Sequence, residues 1–254
     1  MVSLILIGLG LAIGRPFFYH KIMLVNIFGK RGAGKTHMIK YALQECEAPV
    51  VVIDILGNFS SDEIPDSLET ESLTEALRKI TEYKQYEAAS NDERGLMEEI
   101  PPIIILRPHD PDEAIDYVSS ILWHEEGGTL VIDEADGFNI YNAPCFSDLI
   151  RYGRNRNIHL LTGCRRPAEL DRNITAGANC IYIFQTQEPR DIDYFAKTIV
   201  GKEQAERLKN MPDYHGLFIN YDKKTIGVFR TDDQGAVWIL SEKSLNNRND
   251  SIEI

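Results

Sequence analysis

Eight residues near the start of the chain, Gly29-Lys30-Arg31-Gly32-Ala33-Gly34-Lys35-Thr36, hold three glycines and end in a lysine followed by a hydroxyl side chain. Glycine allows positive φ, so the backbone curls and successive N–H groups point into one concavity. Such a nest fits a chain of phosphates. The Lys35 ammonium would reach the terminal phosphates, and the Thr36 hydroxyl is a hard oxygen donor for Mg²⁺. An apolar run precedes the loop, and Met38, Ile39, Ala42, Leu43 and Cys46 follow it at helical spacing. Strand, loop and helix in that order form the P-loop setting for a nucleoside triphosphate. The nucleotide-binding candidates are Gly29, Lys30, Arg31, Gly32, Ala33, Gly34, Lys35, Thr36 and His37. ATP and Mg²⁺ are the expected cofactors.

A second group lies about a hundred residues on. Leu130-Val131-Ile132 runs into Asp133-Glu134. A carboxylate at a strand tip, here Asp133, would hold the Mg²⁺ shell beside Thr36. Glu134 would polarise the water that attacks the γ-phosphate. The two groups together predict hydrolysis. Two arginine clusters follow: Arg151, Arg154 and Arg156, then Arg165, Arg166 and Arg172. Arginine matches phosphate oxygens with a two-pronged fork. Arg151 or Arg154 is the candidate for a catalytic finger reaching a neighbouring subunit's nucleotide. Arg165, Arg166 and Arg172 are the candidates for contact with a nucleic-acid backbone. Both clusters are expected where the strand ends of the sheet gather.

These residues need a scaffold. The chain has 254 residues and a net charge of -12, which argues against a surface that coats nucleic acid or anionic lipid broadly. Contact with such a partner must be confined to local basic patches. Four scattered cysteines and six scattered histidines show no ligand spacing, so free buried thiols and no structural zinc are expected. Continuous apolar runs at Met23–Phe28, Val50–Ile55, Ile103–Leu106, Leu130–Ile132, Ile158–Leu161 and Ile181–Phe184 read as strands buried on both faces. Helical patterns between them predict an α/β domain with a mainly parallel sheet flanked by helices. Residues 60–101 are strongly acidic, with Leu73, Leu77 and Ile80 at helical spacing. They predict one exposed helix in an insertion, either a solvated connector or a lid. After residue 213, short strands separated by polar turns predict antiparallel strands at the sheet edge. The apolar run 2–13 is shorter than the roughly 20 residues a spanning helix needs. The expected division is an N-terminal extension (1–22), an ATPase domain (23–242) and a frayed tail (243–254).

"VVVIDILGNF", "LVIDEAD" and "RYGRNRNIHLLTGCRRPAELDRNITAGANCIYIF" together resemble the HerA–FtsK superfamily of P-loop ATPases. The similarity runs from about Met23 to Phe195. It includes a strand-end Asp54, the Arg-x-Gly-Arg block at Arg151–Arg154, the Arg-Pro-x-Glu turn from Arg166, and the segment Asn179–Phe184. The compact form is most similar to genome-packaging ATPases of viruses and proviruses and to small DNA translocases. The resemblance implies a RecA-like core, a ring of six subunits, and double-stranded DNA as the moved polymer. It also implies a cytoplasmic or virion-associated location, with a capsid portal or membrane component as a further partner. Many members place a glutamine before the Arg-Pro turn as a γ-phosphate sensor. Here Arg165 stands there, so either Thr162 or Arg165 takes the role or hydrolysis is slow. The alternatives are a membrane-associated assembly ATPase of filamentous phage, anchored through residues 2–18, and a soluble P-loop kinase.

Overall fold

The computed structural model describes residues 23–138 and 143–245. Ten strands form one sheet: β1 (Leu24–Phe28), β2 (Val50–Ile53), β3 (Ser67–Thr70), β4 (Ile103–Leu106), β5 (Gly128–Ile132), β6 (Ile158–Cys164), β7 (Cys180–Phe184), β8 (His215–Asn220), β9 (Thr225–Thr231) and β10 (Val237–Ser244). Their order is β10-β9-β8-β7-β1-β6-β5-β2-β4-β3. The seven strands from β7 to β3 are parallel. The last three are antiparallel, as expected from the turn-rich C-terminal sequence. All six strands anticipated from apolar runs are present.

The helices are α1 (Lys35–Ala42), α2 (Leu73–Ala88), α3 (Asn91–Arg94), α4 (Pro111–His124), α5 (Pro144–Tyr152), α6 (Arg172–Ala176), α7 (Pro189–Thr198) and α8 (Lys202–Arg207). Side chains alternate across each strand, so every central strand feeds two cores. Leu24 and Phe28 of β1 join residues of α2, α4, α5, α6 and α7 on one face. Val25 and Ile27 join Met38 and Ile39 of α1 on the other. That second face has far less helix over it. Rings fill the gap beyond β1: Phe229 lies 5.0 Å from Phe184 and 5.2 Å from Tyr182, both edge-on.

Residues 60–101 differ from the expectation of a single exposed helix. Ser67–Thr70 pairs with β4 as an edge strand. Ala76 and Ile80 of α2 are fully buried in the core shared with α4. Neither α6 nor α8 was anticipated; at five and six residues, each is too short to show a helical period. The four cysteines are free, with Cys164 and Cys180 buried. The apolar run 2–13 lies outside the described residues, as do residues 246–254; the tail expected from 243 begins later, because Lys243 and Ser244 still pair with β9. Among the described residues no helix is long and apolar enough to cross a membrane.

Candidate active site

In a parallel sheet all strands deliver their C-terminal ends to one edge. Here that edge collects the loop after β1, Asp133-Glu134 after β5 and the turn after β6. The loop is tied down at its start, where Gly29 N donates to Cys164 O at 3.2 Å. Gly32 and Gly34 have φ of 77° and 105°, a region open to glycine at little cost. Lys30 Nζ donates to Gln185 Oε1 at 2.8 Å, fixing the outer limb of the loop to the end of β7. Lys35 is buried, and its Nζ donates to Lys30 O at 3.4 Å.

Thr36 and Asp133 meet. The Thr36 hydroxyl donates to Asp133 Oδ2 at 2.8 Å, and Asp133 Oδ1 accepts from Glu134 N at 3.0 Å. Asp133 has little room. A β-carbon on Gly163, the neighbouring residue of β6, would stand 2.4 Å from Asp133 Oδ1. Among the described residues no cluster of three or more His, Cys, Asp or Glu side chains could hold a metal by itself. A hydroxyl and a carboxylate in contact nevertheless fit Mg²⁺, which takes one or two protein oxygens and fills its shell with phosphate and water.

Glu134 follows in a left-handed conformation, φ 58°. Burial pushes its carboxyl above the ordinary range; Lys35 opposes this, Asp133 adds to it, and Arg165 opposes it. Arg165 Nε forms an ion pair with Glu134 Oε2 at 2.5 Å. The Arg165-Arg166 turn is itself held by Asp136, whose two oxygens accept from Arg165 N at 3.0 Å and Arg166 N at 3.1 Å.

No family model and no curated protein matches the sequence. Solved structures do match. The genome-packaging NTPase B204 of Sulfolobus turreted icosahedral virus 2, in complex with sulfate, superposes with a TM-score of 0.62 at 18% identity, covering 82% of this chain and 96% of that one. The same NTPase in complex with AMPPCP gives 0.59 at 18% identity, covering 82% and 97%. VirB4 of Thermoanaerobacter pseudethanolicus gives 0.51 at 14% identity, covering 87% and 89%. The chain shares their fold. The expected P-loop architecture is thereby borne out.

The remaining candidates are distributed differently. Of the two residues considered for γ-phosphate sensing, Thr162 faces away from the site. It is fully buried on the helix-rich face, and its hydroxyl donates to Asn26 Oδ1 at 2.7 Å. Arg165 is the one that reaches Glu134. Arg166 lies on the same turn, its Nη1 4.0 Å from Glu188 Oε2. Arg172 opens α6 and is exposed beside the middle of β1, where Asn26 Nδ2 donates to Ile174 O. Arg151 and Arg154 are exposed, but they precede β6 and so stand at the N-terminal edge of the sheet. The expectation that both clusters gather at one set of strand ends is corrected here. Their companion Arg156 pairs with Glu126 and stacks 4.7 Å from the Trp123 ring centroid, a structural role. Asp54 is structural as well. It is 1% exposed and accepts from Asn58 N, Phe59 N and Arg107 Nε.

Asp136 and Gly163 were not singled out in the sequence. Asp136 sits within "DEAD" but nothing in its spacing ties it to a turn 29 residues later. Gly163 matters only because β5 and β6 are neighbours in register.

Proposed function

We propose that the chain is an ATP-hydrolysing motor that moves double-stranded DNA and works as a ring, six-membered by family resemblance. The observation that carries this is the joint placement of Lys35, Thr36, Asp133 and Glu134 on one loop end. It sits within a fold shared with a genome-packaging NTPase. In this proposal the loop's N–H groups and Lys35 bind the β- and γ-phosphates. Thr36 and Asp133 orient the Mg²⁺ shell. Glu134 takes the proton of the attacking water. Mg²⁺, when bound, supplies the positive charge that offsets the charge developing on the transferred phosphoryl group.

Support against the kinase alternative comes from residues 60–101. Their start reaches only the flank of α1, where Lys40 pairs with Glu63, while β3 is the outermost strand and α2 packs on the opposite sheet face; a kinase lid has to cover the phosphate loop. The finger in this proposal acts between subunits. β6 is about 20 Å long at roughly 3.3 Å per residue. Arg151 and Arg154, at its far end, are thus out of reach of their own loop, so the proposed finger would act on another copy's. A surface of net charge -12 leaves DNA only small basic patches, for which Arg165, Arg166 and Arg172 remain the candidates. The proposed location is the host cytoplasm or the virion, with a capsid portal as the receiving partner.

ATPase rate against double-stranded DNA concentration, at several salt levels, tests the motor. DNA should stimulate turnover in an oligomeric preparation, and affinity should fall with salt as counterions return to the phosphates. Lys35→Ala should abolish hydrolysis, while Glu134→Gln should keep ATP binding and lose turnover. Rates indifferent to DNA at low salt would remove DNA from the proposal.

A further inference from the structure

Tyr214 lies 180 residues from the glycine loop in sequence, yet its ring rests against the loop. A β-carbon on Gly34 would stand 3.2 Å from Tyr214 Cδ1 and 3.4 Å from Thr231 Oγ1. The ring is not consumed by this contact, since Tyr214 is 53% exposed. Its backbone is set on both sides. Tyr214 takes φ 61°, its carbonyl accepts from Thr231 N at 2.9 Å, and the next residue's N–H donates to Pro212 O at 3.2 Å.

The direction in which a bound triphosphate must lie gives this ring a purpose. With Thr36 and Asp133 in contact at the end of β5, the terminal phosphates of the proposed nucleotide would lie over β6 and β5. The nucleoside then leaves the loop on the other side of β1, over β7 and β8. Tyr214 immediately precedes β8, at the edge where β7 ends. The turn between β9 and β10 closes the same flank; a β-carbon on Gly235 would stand 2.1 Å from His37 O, at the start of α1. Of the other exposed tyrosines, Tyr152 and Tyr221 lie at the N-terminal edge of the parallel strands, and Tyr117 lies on α4. A nucleobase needs a flat, partly apolar, accessible surface, and an aromatic face provides it for any base.

We propose that Tyr214 is the platform on which the base of the bound nucleotide stacks, so that the C-terminal strands form the nucleoside half of the site. The inference rests on the loop holding a nucleoside triphosphate, and it adds the residue that distinguishes a nucleotide from bare polyphosphate.

Calorimetric titration of the full chain in Mg²⁺ with two probes tests it: a non-hydrolysable ATP analogue and inorganic tripolyphosphate. The parental chain should bind both, the analogue more tightly. Tyr214→Ala should weaken the analogue roughly tenfold to a hundredfold and leave tripolyphosphate unchanged. Tyr214→Phe should restore analogue binding, because the face and not the hydroxyl does the stacking. Parental affinity for the analogue in Tyr214→Ala overturns the proposal. So does an equal loss toward both probes, which would make Tyr214 a prop for the Gly34 backbone. A parental chain that binds neither probe removes the phosphate-loop assignment itself, and the platform with it.

Discussion

Arg165 Nε stands 2.5 Å from Glu134 Oε2, so the carboxylate proposed to activate water is engaged by a guanidinium from the neighbouring strand end. The pair joins Glu134 to a turn that also carries Arg166, and Asp136 makes that turn rigid by accepting both of its N–H groups.

Removing the guanidinium should move the pH dependence of hydrolysis. Burial raises the Glu134 carboxyl, whereas Arg165 lowers it. In the proposed mechanism Glu134 acts as a base, which requires it to be ionised. In Arg165→Ala the opposing cation is gone, so the acidic limb of the kcat profile should shift to higher pH. Arg165→Lys should shift it less. Superimposable limbs in all three proteins would show that Glu134 does not set the limb.

Gly163→Ala tests how closely Asp133 is confined. The added methyl would lie 2.4 Å from Asp133 Oδ1 and 2.8 Å from Ile39 Cδ1, with no room for either to stay. Displacing the carboxylate by about an ångström should lower kcat on the order of a hundredfold and raise the Mg²⁺ concentration needed for half-maximal rate. Circular dichroism should stay parental. An unaltered Mg²⁺ requirement would show that Asp133 relocates without consequence.

Asp191 offers a stability experiment. It is 5% exposed, and burial pushes its carboxyl from an unfolded value of 3.8 up to about 6, against the pull of Arg166. The native state therefore holds the proton more tightly. Between pH 3.8 and 6 this group makes stability fall as pH rises, and above 6 the full penalty persists. Asp191→Asn should stabilise the protein at pH 7 by roughly 1–3 kcal/mol, a few degrees in Tm, with the gain vanishing below pH 4. A gain that is the same at pH 4 and pH 7 would mean the ionisation is not its source.

The arginines at the far end of β6 call for a mixing experiment. Arg154→Ala and Lys35→Ala chains should each be inactive alone. Combined in one ring, parental loops beside parental arginines occur at some interfaces, and part of the activity should return. The same mix with Arg151→Ala decides between the two. Mixed rings, verified by mass, that stay silent in both cases would place the finger elsewhere.

How much of this the sequence disclosed depends on how local the cause is. Gly29 to Thr36 are contiguous, and their chemistry survives any global arrangement. β1, β2, β4, β5, β6 and β7 announce themselves because burial on both faces demands unbroken apolar runs. β3 does not: Ser67-Leu68-Glu69-Thr70 is an edge strand, half-buried at every position, and carries no such run. Asp136, Gly163 and Tyr214 act through strand adjacency, which no single segment encodes. The placement of Arg151 and Arg154 was recoverable in principle. In a parallel sheet a residue just before a strand lies opposite a loop just after one, and the clusters before and after β6 straddle that divide.

The position of β1 has a consequence for how the chain is made. Asn26 and Thr162 are 136 residues apart, yet their strands are direct neighbours, and β7 on the other side comes later still. During synthesis β1 emerges well before both of its partners. At about 5–20 residues per second, β1 waits on the order of ten seconds without a neighbour. Closing so long a loop is slow, and meanwhile an apolar strand edge stays open to other nascent chains. The glycine loop acquires its shape only when that wait ends, so nucleotide binding is a late event that reports completion of the central sheet.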